Sequence, residues 1–107
     1  MTDIKFGEIF LCQFPFTSGK LSKRRPVLVL FDLPLNAVIC RITSVPHSGS
    51  LDVAITDWMA AGLAKPSIAR LNRLVTAEKT LLSHRLGELS PPDAETIKAT
   101  WNQYMIL

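Results

Sequence analysis

Apolar residues along this chain fall in short runs with a two-residue period, and only the end of the chain switches to a helical one. "GEIFLCQF" (7–14) is apolar and rich in strand formers. "PFTSGKLSK" (15–23) carries the chemistry of a loop. "RPVLVLFD" (25–32) reads as a second strand, apolar on both faces from Val27 to Phe31, as a central strand is. Pro26 lacks an N–H and belongs at the first residue of that strand or on a free edge. "DLPLN" (32–36) is a turn, and "AVICRITS" (37–44) a third strand. Its alternation sets Val38, Cys40 and Ile42 on one face, and Ala37, Ile39, Arg41 and Thr43 on the other.

After a loop at "VPHSGS" (45–50), "LDVAI" (51–55) alternates as a half-exposed strand. "TDWMAAGL" (56–63) suits one or two helical turns, capped by Thr56 or Asp57 and ended by Gly62. "SIARLN" (67–72) is another strand and "LVTAEKTLL" (74–82) a weaker one. The one long helix starts with Ser90 as N-cap, Pro91 at N1 and Asp93 in the first turn. Ala94, Ile97, Trp101 and Tyr104 recur at helical spacing to pack it on a sheet. Five to seven short strands, one brief helix and one closing helix predict a small curved antiparallel sheet or barrel with a helical lid.

Composition narrows the class. The 107 residues suit a single domain spanning 1–107, and a hydrophobic content of 48% argues against disorder. Cys12 and Cys40 lie in apolar runs without CxxC or metal-ligand spacing, which points to buried free thiols in a reducing compartment. No signal-like or membrane-length apolar segment is present, so a soluble cytoplasmic protein with no membrane partner is expected. The net charge of +3 is unevenly spread: nine Lys/Arg face five Asp/Glu up to Val75, and three face four from Thr76 onward. The densest point is "SGKLSKRRPVLVL" (18–30), where Lys20, Lys23, Arg24 and Arg25 meet the start of the second strand. A cluster of this kind draws in polyanions through counterion release.

Four stretches in order, "GEIFLCQFPF" (7–16), "KRRPVLVL" (23–30), "ICRITS" (39–44) and "PSIARLNRLVTAEKTLLSHRLGELS" (66–90), make the chain resemble the PemK/MazF family of toxins over nearly its whole length. The resemblance implies a mainly β fold, an SH3-like small barrel of bent antiparallel strands with a short helix and a C-terminal helix. It also implies a homodimer that cleaves single-stranded RNA at short sequences, needs no metal and leaves a 2′,3′-cyclic phosphate. A small antitoxin would be the protein partner.

Metal-free RNA cleavage requires a proton to leave the 2′-OH, charge to be stabilised on phosphorus, and a proton to reach the 5′ oxygen. Arg25 suits the second task, because a guanidinium offers a planar fork to two phosphate oxygens and Pro26 holds its backbone extended. By the resemblance Arg25 maps onto a main catalytic arginine, and Thr43 onto an active-site threonine whose hydroxyl can donate to a phosphoryl oxygen. Arg70 matches an arginine of the family site, whereas Asn72 departs from the acidic residue found there in some members. Ser44, His47 and Arg73, with Lys20, Lys23, Arg24 and Asn72, are the expected RNA-binding set. An imidazole such as that of His47 can carry protons near neutral pH. Arg73 is expected on the strand face opposite Arg70, His84 has no supporting motif, and Asp32 and Asp52 read as isolated carboxylates. Two other readings compete: a noncatalytic RNA- or protein-binding module of the same barrel, and a gyrase-poisoning relative. The apolar end "YMIL" fits packing better than gyrase contact.

Overall fold

The computed structural model of the chain describes residues 3–14 and 23–107. Lys20, the rest of the basic loop at 15–22 and the side chain of Lys23 lie outside the described residues. Six strands are present: β1 Glu8–Phe14, β2 Lys23–Asp32, β3 Asn36–Thr43, β4 Asp52–Ile55, β5 Ser67–Glu78 and β6 Leu82–Glu88. A 3-10 turn, Lys79–Leu81, joins the last two, and α1, Pro91–Tyr104, closes the chain. All pairings are antiparallel in one sheet, ordered β4-β5-β3-β2-β1-β6.

Both faces of the sheet are buried at its centre, which is why Val27–Leu30 of β2 and Ala37–Cys40 of β3 are unbroken apolar runs. One face holds Ile9, Leu28, Leu30, Cys40, Ile42, Val53, Ala69 and Leu71, closed by Ile97 and Trp101 of α1. The other holds Phe10, Cys12, Val27, Val29, Ala37 and Ile39. Cys12 and Cys40 are free and buried on opposite faces, and burial pushes both thiols up to about 12. Register shifts interrupt β1/β6, β2/β3 and β3/β5, and such bulges bend and twist a strand. The sheet therefore curls, with nearly equal extents of 31 × 30 × 29 Å.

Several local expectations change. Residues 56–63 form turns rather than a helix: Ala61 N–H bonds Asp57 O and Leu63 N–H bonds Trp58 O, and Gly62 then turns the chain at φ +90°. The strands expected at 67–72 and 74–82 are one continuous β5. Strand β6 has no counterpart in the sequence pattern. Pro26 sits inside β2, opposite Leu11 of β1, and the ladder to β3 begins one residue later at Val27. The missing N–H is tolerated because Pro26 lies just outside the ladder to β3. Tyr104 is 48% exposed instead of packed, while Trp101 meets Phe31 edge-on at 5.4 Å.

Asp93 ties α1 to the connection that follows β4. Its carboxylate accepts from Thr56 N–H (3.1 Å), Thr56 Oγ1 (2.7 Å) and Asp57 N–H (2.8 Å). Ser90 caps the helix by accepting from Asp93 N–H, and its hydroxyl donates to Asp57 Oδ2 at 2.6 Å. Burial pushes the Asp93 carboxyl up, but the hydrogen bonds from Thr56, Asp57 and Ser90 outweigh it and hold the group below the usual carboxylate range. A carboxyl depressed in the folded state stabilises the fold above its unfolded pKa, and that stability is lost as pH falls through the folded value. Melting temperature is therefore expected to fall on acidification below about pH 4. Asp93→Asn should lower stability at pH 7 by about 2–3 kcal/mol and flatten that acid dependence, both measured by thermal melts across pH.

Candidate functional site

The sheet face away from α1 carries the charge. Strand registers build a row across it: Val27 opposite Arg41, Arg41 opposite Arg70, and Arg70 opposite Asp52. Opposed residues in antiparallel strands share a face and lie within side-chain reach. Arg25 stands two residues before Val27 and Thr43 two residues after Arg41, so alternation carries both into the next row of the same face. Arg25 is half-buried opposite Cys12, and Thr43 is half-buried opposite Ile68.

Asp52 is a partner, not an isolated carboxylate. Arg70 Nε donates to its Oδ1 at 2.8 Å, and Gly49 N–H donates to its Oδ2 at 2.8 Å. The side chains of Arg70 and Asp52 are only 15% and 5% exposed, so solvent and salt screen this pair little. The bond from Arg70 holds the Asp52 carboxyl below its usual range against burial, helped by Gly49 and by the charges of Arg70 and His47. A carboxylate held this low is a weak base, and its role is to fix Arg70. That bond uses Nε and leaves the two Nη groups as donors.

Arg41 is the residue that sequence reasoning passed over. It is half-buried at the centre of the row. Burial, then the charges of Arg25, Arg73 and Arg70, push its pKa below the ordinary arginine value. Arg73, expected on the far face, thus acts on the same cluster. The β3/β5 register shifts where Cys40 pairs with Leu74 and Arg41 with Arg70, and the bulged residues 71–73 no longer alternate strictly. Asn72 is exposed within the same bulge.

The remaining candidates divide. Thr43 Oγ1 accepts from Val45 N–H at 3.1 Å, which fixes the turn and leaves its hydroxyl hydrogen to donate. Ser44 and His47 are exposed beyond the end of β3, and His47 is near enough to act on Asp52. Arg24 is exposed opposite Gln13, and alternation turns it to the other face of β2 from Arg25. His84 pairs with Leu11 on the outer strand β6, away from this group. Beside Thr43 runs a groove of about 480 Å³ whose lining includes Ser44, Pro46, Ala54, Trp58, Pro66 and Ile68. A cationic patch next to an apolar groove is what a single nucleic-acid strand uses, phosphates on one and bases on the other. No helix among the described residues is long and apolar enough to cross a membrane.

The sequence matches the family model for the PemK-like, MazF-like toxin of type II toxin-antitoxin systems over residues 5–105. No curated protein sequence matches the chain. Among solved structures, an endoribonuclease from a mycobacterial species is similar at 18% identity, with TM-score 0.75 over 98% of this chain and 93% of that one. The Mycobacterium tuberculosis toxin MazF-mt6 is similar at 21% identity, with TM-score 0.75 over 94% and 98%. A mycobacterial endoribonuclease in complex with its cognate antitoxin is similar at 16% identity, with TM-score 0.74 over 96% and 95%. These likenesses bear on the fold.

Proposed function

Because the chain belongs to the PemK-like, MazF-like toxin family of type II toxin-antitoxin systems, we propose that it is a cytoplasmic toxin that cuts single-stranded RNA without a metal ion. The observation that carries this reading is the shared face of Arg25 and Thr43, beside Arg41 and Arg70, with Asp52 bonded to Arg70. The 2′-oxygen attacks phosphorus as its proton leaves, the bond from phosphorus to the 5′ oxygen breaks, and that oxygen takes a proton. The products are a 2′,3′-cyclic phosphate and a 5′-hydroxyl, with no water consumed. Arg25 and the hydroxyl of Thr43 stabilise charge on the phosphoryl oxygens. Arg70, oriented by Asp52, offers its Nη donors to the same phosphate or its neighbour. His47 is the proton carrier nearest this face, and Lys20, Lys23, Arg24, Ser44, Asn72 and Arg73 steer or hold the RNA strand.

A cognate antitoxin and a second copy of the chain complete the reading. The mycobacterial structure with its antitoxin supports the first. Phe31, Leu33, Leu35 and Leu81, exposed around the β2–β3 turn and the 3-10 turn, support the second, since apolar surface of this kind is normally covered by a partner.

The test is to incubate purified protein with a long single-stranded RNA in the presence of EDTA. Discrete fragments ending in 2′,3′-cyclic phosphate are expected. RNA retention without cuts, or intact unbound RNA, would overturn the assignment.

A further inference from the structure

We infer that Trp58 is a stacking platform for the RNA: its indole receives one base of the bound strand, the base next to the phosphate held at Arg25 and Thr43. This rests on reading the charged face as a ribonuclease centre. It assigns a residue of the turn after β4 to which sequence reasoning gave no role.

Placement is the first argument. Thr43, Ile68 and Ala54 are aligned across β3, β5 and β4, in the row next to Arg41, Arg70 and Asp52. Two residues along a strand separate such rows by about 7 Å. Ile68 and Ala54 line the groove beside Thr43, together with Pro46, Trp58 and Pro66. A base hangs from the sugar next to its phosphate, so a strand whose phosphate reaches Thr43 brings a base to this groove. The lining is the second argument. Among the described residues it holds no charged side chain, so it suits a flat, neutral ring rather than a phosphate. Trp58 is half-buried and also borders a second hollow of about 500 Å³, with Asp57 and Met59. Rigidity is the third. Asp93 accepts from Thr56 N–H and Asp57 N–H, Ala61 N–H donates to Asp57 O, and Leu63 N–H donates to Trp58 O at 3.0 Å. Trp58 packs against the core that contains Ile55 and Leu63. A platform already in place costs little ordering on binding, and unpaired RNA bases are commonly held by such aromatic contacts.

The test uses oligonucleotides that tile the RNA of the cleavage assay, with every 2′-OH methylated so that none is cut. On the tightest binder, Trp58→Ala should weaken binding about ten- to a hundredfold, and Trp58→Phe should keep most of the affinity. The slope of log K against log salt should not change, because stacking releases no counterions. RNA should quench tryptophan fluorescence in the parent but not in Trp58→Phe, where Trp101 is the tryptophan left. An abasic residue is then moved through the oligonucleotide. At one position it should weaken the parent as much as Trp58→Ala does, and there the variant should lose nothing further. Parent-like affinity in Trp58→Ala, or a Trp58→Ala loss of equal size at every abasic position, would overturn the proposal even where the parent cuts RNA. If the parent does not cut but the loss disappears at one abasic position, the stacking contact stands and the ribonuclease reading falls.

Discussion

Arg25→Ala is expected to reduce RNA cleavage by at least about 10²–10³-fold while leaving the melting temperature close to that of the parent. The side chain is half-buried on the charged face, and the residues that fill the core around it, Cys12 and Val27, stay in place. On the proposed mechanism the loss is that of a charged fork for the phosphoryl oxygens, worth about 3–4 kcal/mol in the transition state when water is excluded. Arg25→Lys keeps the charge but not the paired donors, so its loss should be smaller yet still large. Initial rates on a defined RNA, with circular dichroism as the check on folding, decide the matter. A variant that cuts within threefold of the parent would remove Arg25 from the mechanism.

The second large effect is on folding. The turn at Ala61–Gly62 and the strand at Leu86–Gly87 meet backbone to backbone. A Cβ on Gly62 would be driven into the carbonyl of Leu86, and one on Gly87 into the carbonyl of Ala61. Gly62 is also at φ +90°, where a side chain strains the backbone whatever the space. Neither neighbour is a side-chain tip that could swing away. This contact seals the curled sheet, because the turn follows β4 at one edge and Gly87 belongs to β6 at the other. Gly62→Ala should cost at least about 4 kcal/mol, most of what holds a small domain together. Gly7→Ala is the control: φ is +96° there, but nothing lies within 4 Å of its would-be Cβ. Strain alone, about 1–2 kcal/mol, is expected for it. Urea unfolding of the three proteins ranks them, and equal losses at Gly7 and Gly62 would refute the account of the seal.

The elements that local pattern could reveal were those with an unambiguous period. Val27–Phe31 and "AVICRIT" lie on β2 and β3, and Ser90, Pro91 and Asp93 begin α1 where caps and dipole place them. β6 escaped because "LSHRLGE" is an outer strand with little buried surface, so its partner β1, not its own composition, makes it a strand. The turn at 56–63 looked helical because it has a cap and a terminal glycine, but it has too few residues between them to propagate. Of the candidate site, Arg25, Thr43 and Arg70 are the residues that the family resemblance points to. Arg41 and Asp52 are not among them. Their meaning comes from which residue faces which across β2, β3, β5 and β4, and no local period encodes that. Arg73 acts on Arg41 although simple alternation sets it on the face opposite Arg70, and the bulge between Cys40 and Arg41 is where that alternation is interrupted.

Pairing of the first strand with the sixth bears on how the sheet closes during folding. Glu8 aligns with Glu88, near the other end of the chain. Contacts so far apart in sequence form late and slowly, because a long loop must close before they are made. Until that loop closes, β6 lacks its partner β1 and the turn at Ala61–Gly62 lacks the strand it packs against, so the two edges of the sheet meet only when the ends of this fold come together.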